Sequence, residues 1–265
     1  MSGRNPRVQR VRRLARRRRD RAAERAFVVE GPHAVAAALD AGVALDEVLY
    51  EAGADDALVA RARAAGVAVF ELEPGTLAKV SDAVTPQPVV AVAPWCDADV
   101  DAVVKAAVAG GDPRHVVVLH DVRDPGNVGT LLRTAEASGA AGLIVSGQSV
   151  DVFSPKCVRS SAGALFHLPV AVVDDGAVLV GHLREAGLRV IGADAGAPTS
   201  YDQCALLGAV ALFLGNEAAG LPPDLLAAMD GLVSIPIDGR AESLNVAAAG
   251  AVLCFEAARQ RRPHP

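Results

Sequence analysis

The sequence predicts an α/β protein with two domains, and three observations carry this prediction. Its 265 residues, 51% hydrophobic and 22% charged, are enough to bury one large core or two modest ones. Short apolar runs of strand length alternate with helical patterns along most of the chain. A Gly-Gly-Asp-Pro stretch at 110–113 interrupts the alternation and is typical of a linker. We therefore expect a smaller α/β domain at 26–93, a linker at 94–114 and a larger α/β domain at 115–265.

The first 25 residues are a strongly basic segment that we expect to be an arm of its own. They carry eleven arginines against Asp20 and Glu24, whereas the rest of the chain has 15 basic and 29 acidic side chains. Adjacent like charges repel one another, so a solvated or locally helical tail is one interpretation. Because a guanidinium group suits bidentate contact with phosphate, we favour an arm that binds RNA or DNA. The expected RNA contacts in this arm are Arg12, Arg13, Arg16, Arg17, Arg18 and Arg19.

The smaller domain is predicted from four short apolar runs with helical patterns between them. Gly or Pro punctuates most of these boundaries. The predicted strands lie at 26–31, 45–50, 67–70 and 89–92, and the predicted helices at 32–41, 55–65 and 74–80. A further helix is predicted at 101–109, inside the linker.

The larger domain is predicted to be an open parallel sheet. Its strands are continuously apolar, without polar alternation, which is typical of a parallel sheet covered on both faces. The predicted strands lie at 116–119, 142–145, 170–173, 189–192, 210–214 and 232–235, and the helices at 128–138, 155–163, 177–186, 222–229 and 244–259. Ligands of such sheets bind beyond the carboxyl ends of the strands.

Composition and spacing argue against several classes of protein. The four cysteines and six histidines form no ligand-spaced cluster, so we expect no metal. No apolar run is long enough for a membrane span, and no apolar stretch follows the basic start, so we expect a cytoplasmic protein without a membrane contact. Neither a dinucleotide-binding glycine motif nor a P-loop is present.

Three predicted strand ends carry unusual residues. The first leads through Gly126 into a helix that we expect Asn127 to cap, with Arg133 further along; a plain βα turn is the alternative. The second holds Asn216 and Glu217 between two glycines, which permit close approach of a ligand. The third leads to a helix that we expect Ser243 to cap, as a structural or a functional residue.

A fourth motif, at 156–168, is basic and rich in small residues. Lys156 and Arg159 lie three residues apart on a predicted helix and can face one side. Contact with RNA and a purely structural role both remain open for this pair.

Together these motifs resemble those of the SpoU (TrmH) family of RNA ribose 2'-O-methyltransferases, within the SPOUT class. The resemblance rests on DVRDPGNVGTLLRTA at 121–135, KCVRSSAGALFHLPV at 156–170, FLGNEAAGL at 213–221 and IPIDGRAESLNVAAA at 235–249. Residues 26–93 resemble the substrate-binding domain, similar to ribosomal protein L30e, that often precedes this domain.

The resemblance implies an α/β fold with a trefoil knot in the last strands and in the helix after Ser243. It also implies a homodimer, with the active site near the interface. The cofactor would be S-adenosylmethionine, and the positions that match the cofactor-binding motifs are Leu214, Gly215, Asn216, Gly220, Ile235, Pro236, Ser243, Leu244 and Asn245.

The same resemblance assigns catalytic roles. Arg133 matches the family's essential arginine, and because a neutral guanidine is costly we expect it to clamp the target phosphate or the developing oxyanion. Asn127 would orient the hydroxyl or the arginine. Glu217 would position Arg133 or take part in proton removal. Ser243 and Asn245 would form hydrogen bonds with the ribose or the cofactor.

Two alternatives to ribose methylation stay open. One is a SPOUT enzyme that methylates a base, and the other is a non-catalytic protein that binds RNA or assists assembly. The target would be ribosomal or transfer RNA, and we favour ribosomal RNA.

Overall fold

The computed structural model describes residues 4–81, 83 and 85–262, so His264 and the first three residues of the predicted arm lie outside the described part. The chain divides into two compact units. The first comprises Met1–Cys96 together with Asp151–His167, and the second comprises Asp97–Val150 and Leu168–Pro265. None of the described helices is long and apolar enough to cross a membrane.

The arginine-rich segment is folded into the first unit and is not a solvated tail. It forms helix α1 (Pro6–Arg16), capped by the Asn5 side chain, and helix α2 (Arg18–Glu24). One face of α1 is apolar and fully buried in the core of the unit, through Val8, Val11, Leu14 and Ala15. The prediction of a separate arm at 1–25 is therefore corrected, because apolar residues at helical spacing alternate with the arginines.

The first unit is built on a four-stranded mixed sheet with the order β1-β4-β2-β3. Its elements are β1 (Ala26–Glu30), α3 (Pro32–Asp40), β2 (Glu47–Tyr50), α4 (Asp56–Ala64), β3 (Ala68–Glu71) and β4 (Val89–Pro94). Strand β4 is antiparallel to both β1 and β2, whereas β2 and β3 are parallel. The helix predicted at 74–80 is only a 3-10 turn, Leu77–Lys79, because Gly75 before it has a positive φ of 76°.

The second unit is built on a six-stranded sheet with the order β10-β8-β9-β5-β6-β7, and every pair of neighbours is parallel. This confirms the predicted parallel sheet. Its strands are β5 (Val116–His120), β6 (Gly142–Ser146), β7 (Val170–Val173), β8 (Arg189–Ala193), β9 (Val210–Leu214) and β10 (Gly231–Val233). Its helices are α5 (Val100–Val108), α6 (Pro125–Ala137), α8 (Gly176–Glu185), α9 (Pro223–Ala227) and α10 (Val246–Arg261), whereas α7 (Pro155–Ser160) belongs to the first unit.

Helix α5 lies in the second unit and not in a linker. Val103, Val104 and Ala107 are buried in the core that the helix shares with the parallel sheet. The linker predicted at 94–114 is therefore corrected, because the second unit already begins at Asp97. Because α5 before it and β5 after it both pack in the second unit, the glycine-rich stretch also lies inside that unit, and it begins with a 3-10 turn, Ala109–Gly111.

The segment Asp151–His167 packs in the first unit, although it follows the second unit's strand β6 in the chain. It carries helix α7 (Pro155–Ser160), which ends earlier than predicted because Ala162 and Gly163 have positive φ values of 50° and 93°. Phe153 lies with its ring centroid 4.9 Å from that of Phe27 and 4.9 Å from that of Trp95. These contacts fill the space beside strand β1.

Helix α10 packs closely against α6 and β9. A Cβ atom at Gly250 would lie 2.2 Å from the Leu131 Cδ2 atom and 2.8 Å from the Leu214 Cδ1 atom, so only glycine fits there without a shift. This close approach brings the start of α10 to the strand end that carries Glu217. The trefoil knot that the resemblance implies stays a prediction.

Candidate active site

A cavity of about 410 Å³ opens in the second unit, where β8, β9 and β10 end. Its walls are mostly apolar, and their residues come from the ends of these three strands, from the loops that follow them and from helices α9 and α10. The predicted cofactor residues that line it are Leu214, Gly215, Asn216, Gly220, Ile235, Ser243 and Leu244. Pro236 and Asn245 adjoin lining residues in the chain but do not line the cavity themselves.

The loop after β9 is a tight turn that its own hydrogen bonds hold. The N–H and C=O groups of Asn216 and Gly220 pair with each other at 3.0 and 2.9 Å. The Asn216 Oδ1 atom accepts from the N–H groups of Ala218 and Ala219, both at 3.0 Å. A Cβ atom at Gly215 would lie 2.3 Å from the Gly220 carbonyl carbon. Gly215 is therefore required for the structure of the turn itself, apart from any contact with a ligand.

Asn216 also ties the turn to the end of β5. Its Nδ2 group donates to the Asp121 carbonyl oxygen at 2.8 Å. Asp121 itself has a positive φ of 55°, which non-glycine residues seldom adopt. The ends of two neighbouring parallel strands are thus held together by one asparagine side chain.

Three sequence motifs meet in a chain of side-chain hydrogen bonds that we call the amide bridge, formed by Asn245, Asn127 and Glu217. The Asn245 Nδ2 group donates to Asn127 Oδ1 at 3.0 Å, and the Asn127 Nδ2 group donates to Glu217 Oε1 at 3.1 Å. Glu217 also accepts from the backbone N–H groups of Arg123 and Asp124, at 3.2 and 3.1 Å. The bridge joins the starts of α6 and α10 to the turn after β9.

The helix caps differ from those predicted. Asp124, not Asn127, caps α6, since its Oδ1 atom accepts from the Asn127 N–H at 3.0 Å. Asn245, not Ser243, caps α10, since its Oδ1 atom accepts from the first turn at 2.9 and 3.3 Å. Pro125 directly after Asp124 was the signal for the first cap, because proline favours the first helical position.

The carboxyl group of Glu217 has a lowered pKa. Burial raises this pKa, but hydrogen bonds from the Asn127 side chain and from the backbone N–H groups of Asp124, Glu217 and Arg123 together lower it by more. A carboxylate held in this way is a weak base.

Arg133 lies on α6 with its side chain exposed. Within the described part of the chain, no residue forms a hydrogen bond or an ion pair with its guanidinium group. The structure does not place Glu217 on Arg133, as one predicted role required, because Glu217 binds the start of α6 instead. Ser243 lines the cavity with an exposed side chain.

The end of strand β8 is the part of the site that the sequence interpretation missed. Ala193, Asp194 and Ala195 line the cavity, as do Leu221 and Ile237. A strand was predicted at 189–192, and the rule that ligands bind at the carboxyl ends of parallel strands applied to it too. Its small residues did not stand out as a motif.

The predicted RNA-binding arginines of α1 and α2 fall into two groups. Arg13 pairs with Glu24 at 3.3 Å, Arg16 donates to the Lys79 carbonyl oxygen at 3.5 Å, and Arg17 and Arg19 lie 3.9 and 3.5 Å from Asp20. Arg12 and Arg18 are exposed, and no described residue pairs with them. Most of the basic side chains that face solvent therefore have only weak contacts within the protein.

Arg159, predicted as a possible RNA contact, forms an ion pair inside the first unit. Its Nη1 group lies 2.9 Å from the Oε2 atom of Glu30, whose side chain is 3% exposed. A buried carboxylate requires such a partner, so this arginine has a structural role. Lys156, on the same helix, is exposed.

For metals and cysteines the structure speaks only of the described residues, which leave out His264. No group of three or more metal-ligating side chains occurs there. The four cysteines are free, with Cys157 and Cys254 buried.

Comparison with known proteins finds two families along the chain. Residues 114–255 match the SpoU rRNA Methylase family, and residues 5–91 match the MRM3-like substrate binding domain. The second match includes α1 and α2, which agrees with their membership of the first unit.

Individual relatives cover almost the whole chain. The 23S rRNA (guanosine(2553)-2'-O)-methyltransferase RlmP of Bacillus subtilis is 32% identical over 90% of each chain. The 23S rRNA (uridine(2479)-2'-O)-methyltransferase of Streptomyces viridochromogenes is 33% identical over 98% of this chain and 92% of its own.

Solved structures show the same similarity. An AdoMet-bound rRNA methyltransferase from Sinorhizobium meliloti has a TM-score of 0.85 and 33% identity, and the match covers 96% of this chain and 95% of that one. The SpoU methyltransferase AviRb from Streptomyces viridochromogenes in complex with AdoMet also has a TM-score of 0.85, with 32% identity over 97% of this chain and 99% of its own. The chain therefore belongs to the SpoU rRNA methylase family.

Proposed function

We propose that this protein transfers a methyl group from S-adenosylmethionine to a ribose 2'-hydroxyl of ribosomal RNA. The observation that carries the proposal is the cavity at the ends of β8, β9 and β10, with the Asn245–Asn127–Glu217 bridge at its edge. The names of the two 23S rRNA relatives favour ribosomal RNA over transfer RNA as the substrate.

The cavity fits S-adenosylmethionine in size and chemistry. Its volume of about 410 Å³ lies in the range of small-molecule sites, and apolar side chains such as Leu214, Leu221 and Ile235 suit an adenine ring. When bound, the cofactor supplies a methyl group on a positively charged sulfur. Backbone groups of the turn after β9 and of Leu244 would hold it.

The amide bridge would position the site and leave the chemistry to other groups. The side-chain amide of Asn245 hydrogen-bonds Asn127, and that of Asn127 hydrogen-bonds Glu217. The lowered pKa of Glu217 makes this carboxylate a poor acceptor for the hydroxyl proton. The bridge thus supports a positioning role for all three residues, and Ser243 is the side chain here that is open to the ligand or the ribose.

Arg133 is the group that we place against the RNA. An exposed guanidinium with no partner among the described residues can bind a phosphate bidentately, or stabilise negative charge that develops on the ribose oxygen. We assign it this clamp role.

The first unit would bind the RNA outside the reacting nucleotide. Arg12 and Arg18 supply guanidinium groups without a described partner, and Arg16, Arg17 and Arg19 have only long contacts within the protein. Phosphate contacts of this kind give affinity without reading the sequence. We therefore expect recognition of a folded RNA by shape and backbone.

We also infer a homodimer, and we place the enzyme in the cytoplasm because its proposed substrate is ribosomal RNA. Large apolar side chains lie exposed on and before α10, where Phe255 is 47% and Leu244 is 41% exposed. A second copy would cover such side chains.

Transfer of labelled methyl from S-adenosylmethionine to separated ribosomal and transfer RNA fractions tests the proposal. We expect label in the ribosomal fraction and about 100- to 1000-fold slower labelling of the same fraction with Arg133→Ala. Label confined to transfer RNA would contradict the proposed substrate, and no label in either fraction, together with no cofactor binding, would favour a non-catalytic RNA-binding protein.

A further inference from the structure

The cavity has a strongly one-sided charge. Two of its lining residues, Asp194 and Glu217, carry carboxylates, and among the described residues no Lys, Arg or His lines it. The other lining residues are apolar or uncharged. Two carboxylates without a cationic side chain among the described lining residues suit a ligand with positive charge.

The two carboxylates differ in how far the protein itself satisfies them. Glu217 accepts hydrogen bonds from Arg123, Asp124 and Asn127. The Asp194 Oδ1 atom accepts from the Gly196 N–H at 3.1 Å, and no described residue donates to its Oδ2 atom. The carboxylate of Asp194 is the one that remains open toward a ligand.

The backbone around Asp194 is held firmly. The Asp194 N–H donates to the Val233 carbonyl oxygen at 3.0 Å, and the Asp194 carbonyl oxygen accepts from the Ala197 N–H at 3.1 Å. Residues 193–195 therefore keep their place between the ends of β8 and β10. The side chain is half-buried, which reduces the screening of its charge by water.

We propose that Asp194 is a specificity-determining residue that favours the sulfonium methyl donor over its uncharged thioether product. The inference rests on the proposed function, because it takes the cavity as the cofactor site. S-adenosylmethionine and S-adenosylhomocysteine share their adenosine and amino-acid groups and differ by one methyl group and one positive charge. In a cavity of this size that charge lies within roughly 10 Å of the carboxylate, about one Debye length in 0.1 M salt.

As a consequence, the enzyme should bind its product, S-adenosylhomocysteine, more weakly than the donor. An attraction between unit charges at this range, in a half-buried site, corresponds to about 3- to 10-fold in affinity. Asp194 would thus raise the affinity for the donor and leave the affinity for the product almost unchanged. Exchange of product for donor after each turnover becomes easier.

Calorimetric titration of the wild type, Asp194→Asn and Asp224→Asn tests this inference. Asparagine keeps an oxygen acceptor for the Gly196 N–H, so the loop retains its hydrogen bond. Asp224 lies exposed in the first turn of α9 and does not line the cavity, so its variant controls for loss of an exposed carboxylate outside the cavity. The ligands are S-adenosylmethionine, S-adenosylhomocysteine and sinefungin, which carries an amine in place of the sulfonium methyl.

In Asp194→Asn we expect the affinity for S-adenosylmethionine and sinefungin to fall about 3- to 10-fold, with less than twofold change for S-adenosylhomocysteine. Asp224→Asn should leave all three affinities unchanged. An equal loss for all three ligands in Asp194→Asn would show a contact with a group they share, and no loss for any would show no contact; either result overturns the inference. No binding of any ligand to the wild type would instead overturn the proposed function.

Discussion

Arg133 is exposed on α6 and does not line the cavity, so its loss should affect the reaction and not cofactor binding. We expect Arg133→Ala to lower methyl transfer about 100- to 1000-fold, because it removes a group that stabilises charge in the transition state. Calorimetry should give an unchanged cofactor affinity. Arg61→Ala is a matched control, since Arg61 is an exposed helical arginine that pairs with Asp40 in the first unit. A parallel loss of cofactor affinity in Arg133→Ala would contradict the assigned role.

Two substitutions of Glu217 distinguish a positioning role of this residue from a role as the general base. Glu217→Gln keeps an oxygen that can accept from Asn127 or from the backbone, whereas Glu217→Ala leaves those donors unpaired. We expect the glutamine variant to lose less than about tenfold in rate and to keep the shape of the pH–rate profile, and the alanine variant to lose more. Glu242→Gln, an exposed change in the loop before α10, is the control. Equal, near-complete loss in both Glu217 variants would identify Glu217 as the base.

At the scale of elements, the contact of α10 with α6 and β9 decides whether the cavity keeps its shape. Gly250→Ala would place a Cβ atom 2.2 Å from Leu131 and 2.8 Å from Leu214, so α10 must shift. We expect a loss of about 1–3 kcal/mol in the free energy of unfolding and weaker cofactor binding, because Leu214 lines the cavity.

Gly181→Ala is the matched control for this change. Gly181 lies within α8 and has no heavy atom within 4 Å of an added Cβ. Since alanine favours the helix over glycine, this variant should gain up to about 1 kcal/mol. Chemical denaturation of both variants makes the comparison, and equal stability would show that α10 does not need its close approach.

Helices and strands could be predicted from the sequence where the local pattern of apolar residues determines their positions. The strands of the second unit are continuous apolar runs, and their positions agree with the prediction within one or two residues. The caps of α6 and α10 were assigned to the wrong residues, because Asp124 and Asn127, or Ser243 and Asn245, are equally good caps by type. In the first pair Asp124 caps the helix, and the Asn127 side chain instead binds Glu217, 90 residues away in the chain.

At the scale of the whole molecule, the membership of Asp151–His167 in the first unit could not be read from chain order. Two ion pairs tie this segment to the first unit, and in each the two partners lie far apart in the chain. Arg21 pairs with Asp151 at 2.7 Å, with both side chains at most 10% exposed, and Arg159 pairs with the buried Glu30. Arg159, for which contact with RNA and a structural role were both open, is thus structural, because the buried Glu30 carboxylate needs a partner.

The stability of the second unit should fall in mild acid because of His115. Burial, then the charges of Arg261 and Arg114, lower the pKa of this histidine from 6.5 to about 4. Between pH 4 and pH 6.5 the unfolded chain therefore binds more protons at this histidine than the folded chain does. The contribution of the neutral His115 to the free energy of unfolding is complete above pH 6.5 and is lost as the pH falls toward 4. At pH 5 the loss from this group is about 2 kcal/mol.

Urea unfolding at pH 7.5 and pH 5 measures this effect. The stability of His115→Gln should change with pH by about 2 kcal/mol less than that of the wild type. His33→Gln, at an exposed position, should behave as the wild type. The same pH dependence in His115→Gln and in the wild type would contradict the account.

RNA affinity should depend on salt through the exposed arginines of α1 and α2. Replacing Arg12 and Arg18 with alanine should weaken RNA binding and reduce the slope of log Kd against log salt by about 1–2, one for each lost phosphate contact. A pair of exposed arginines in ion pairs elsewhere, Arg61 and Arg184, is the matched control. An unchanged slope in the first double variant would place the RNA on another face.

The chemical identity of the methylated product tests the central claim most directly. Ribosomal RNA labelled by the wild-type enzyme should yield, after nuclease digestion, one 2'-O-methylated nucleoside, and the phosphodiester that follows it should resist alkaline cleavage. Label recovered in a base-methylated nucleoside, with normal alkaline cleavage at that position, would contradict ribose methylation.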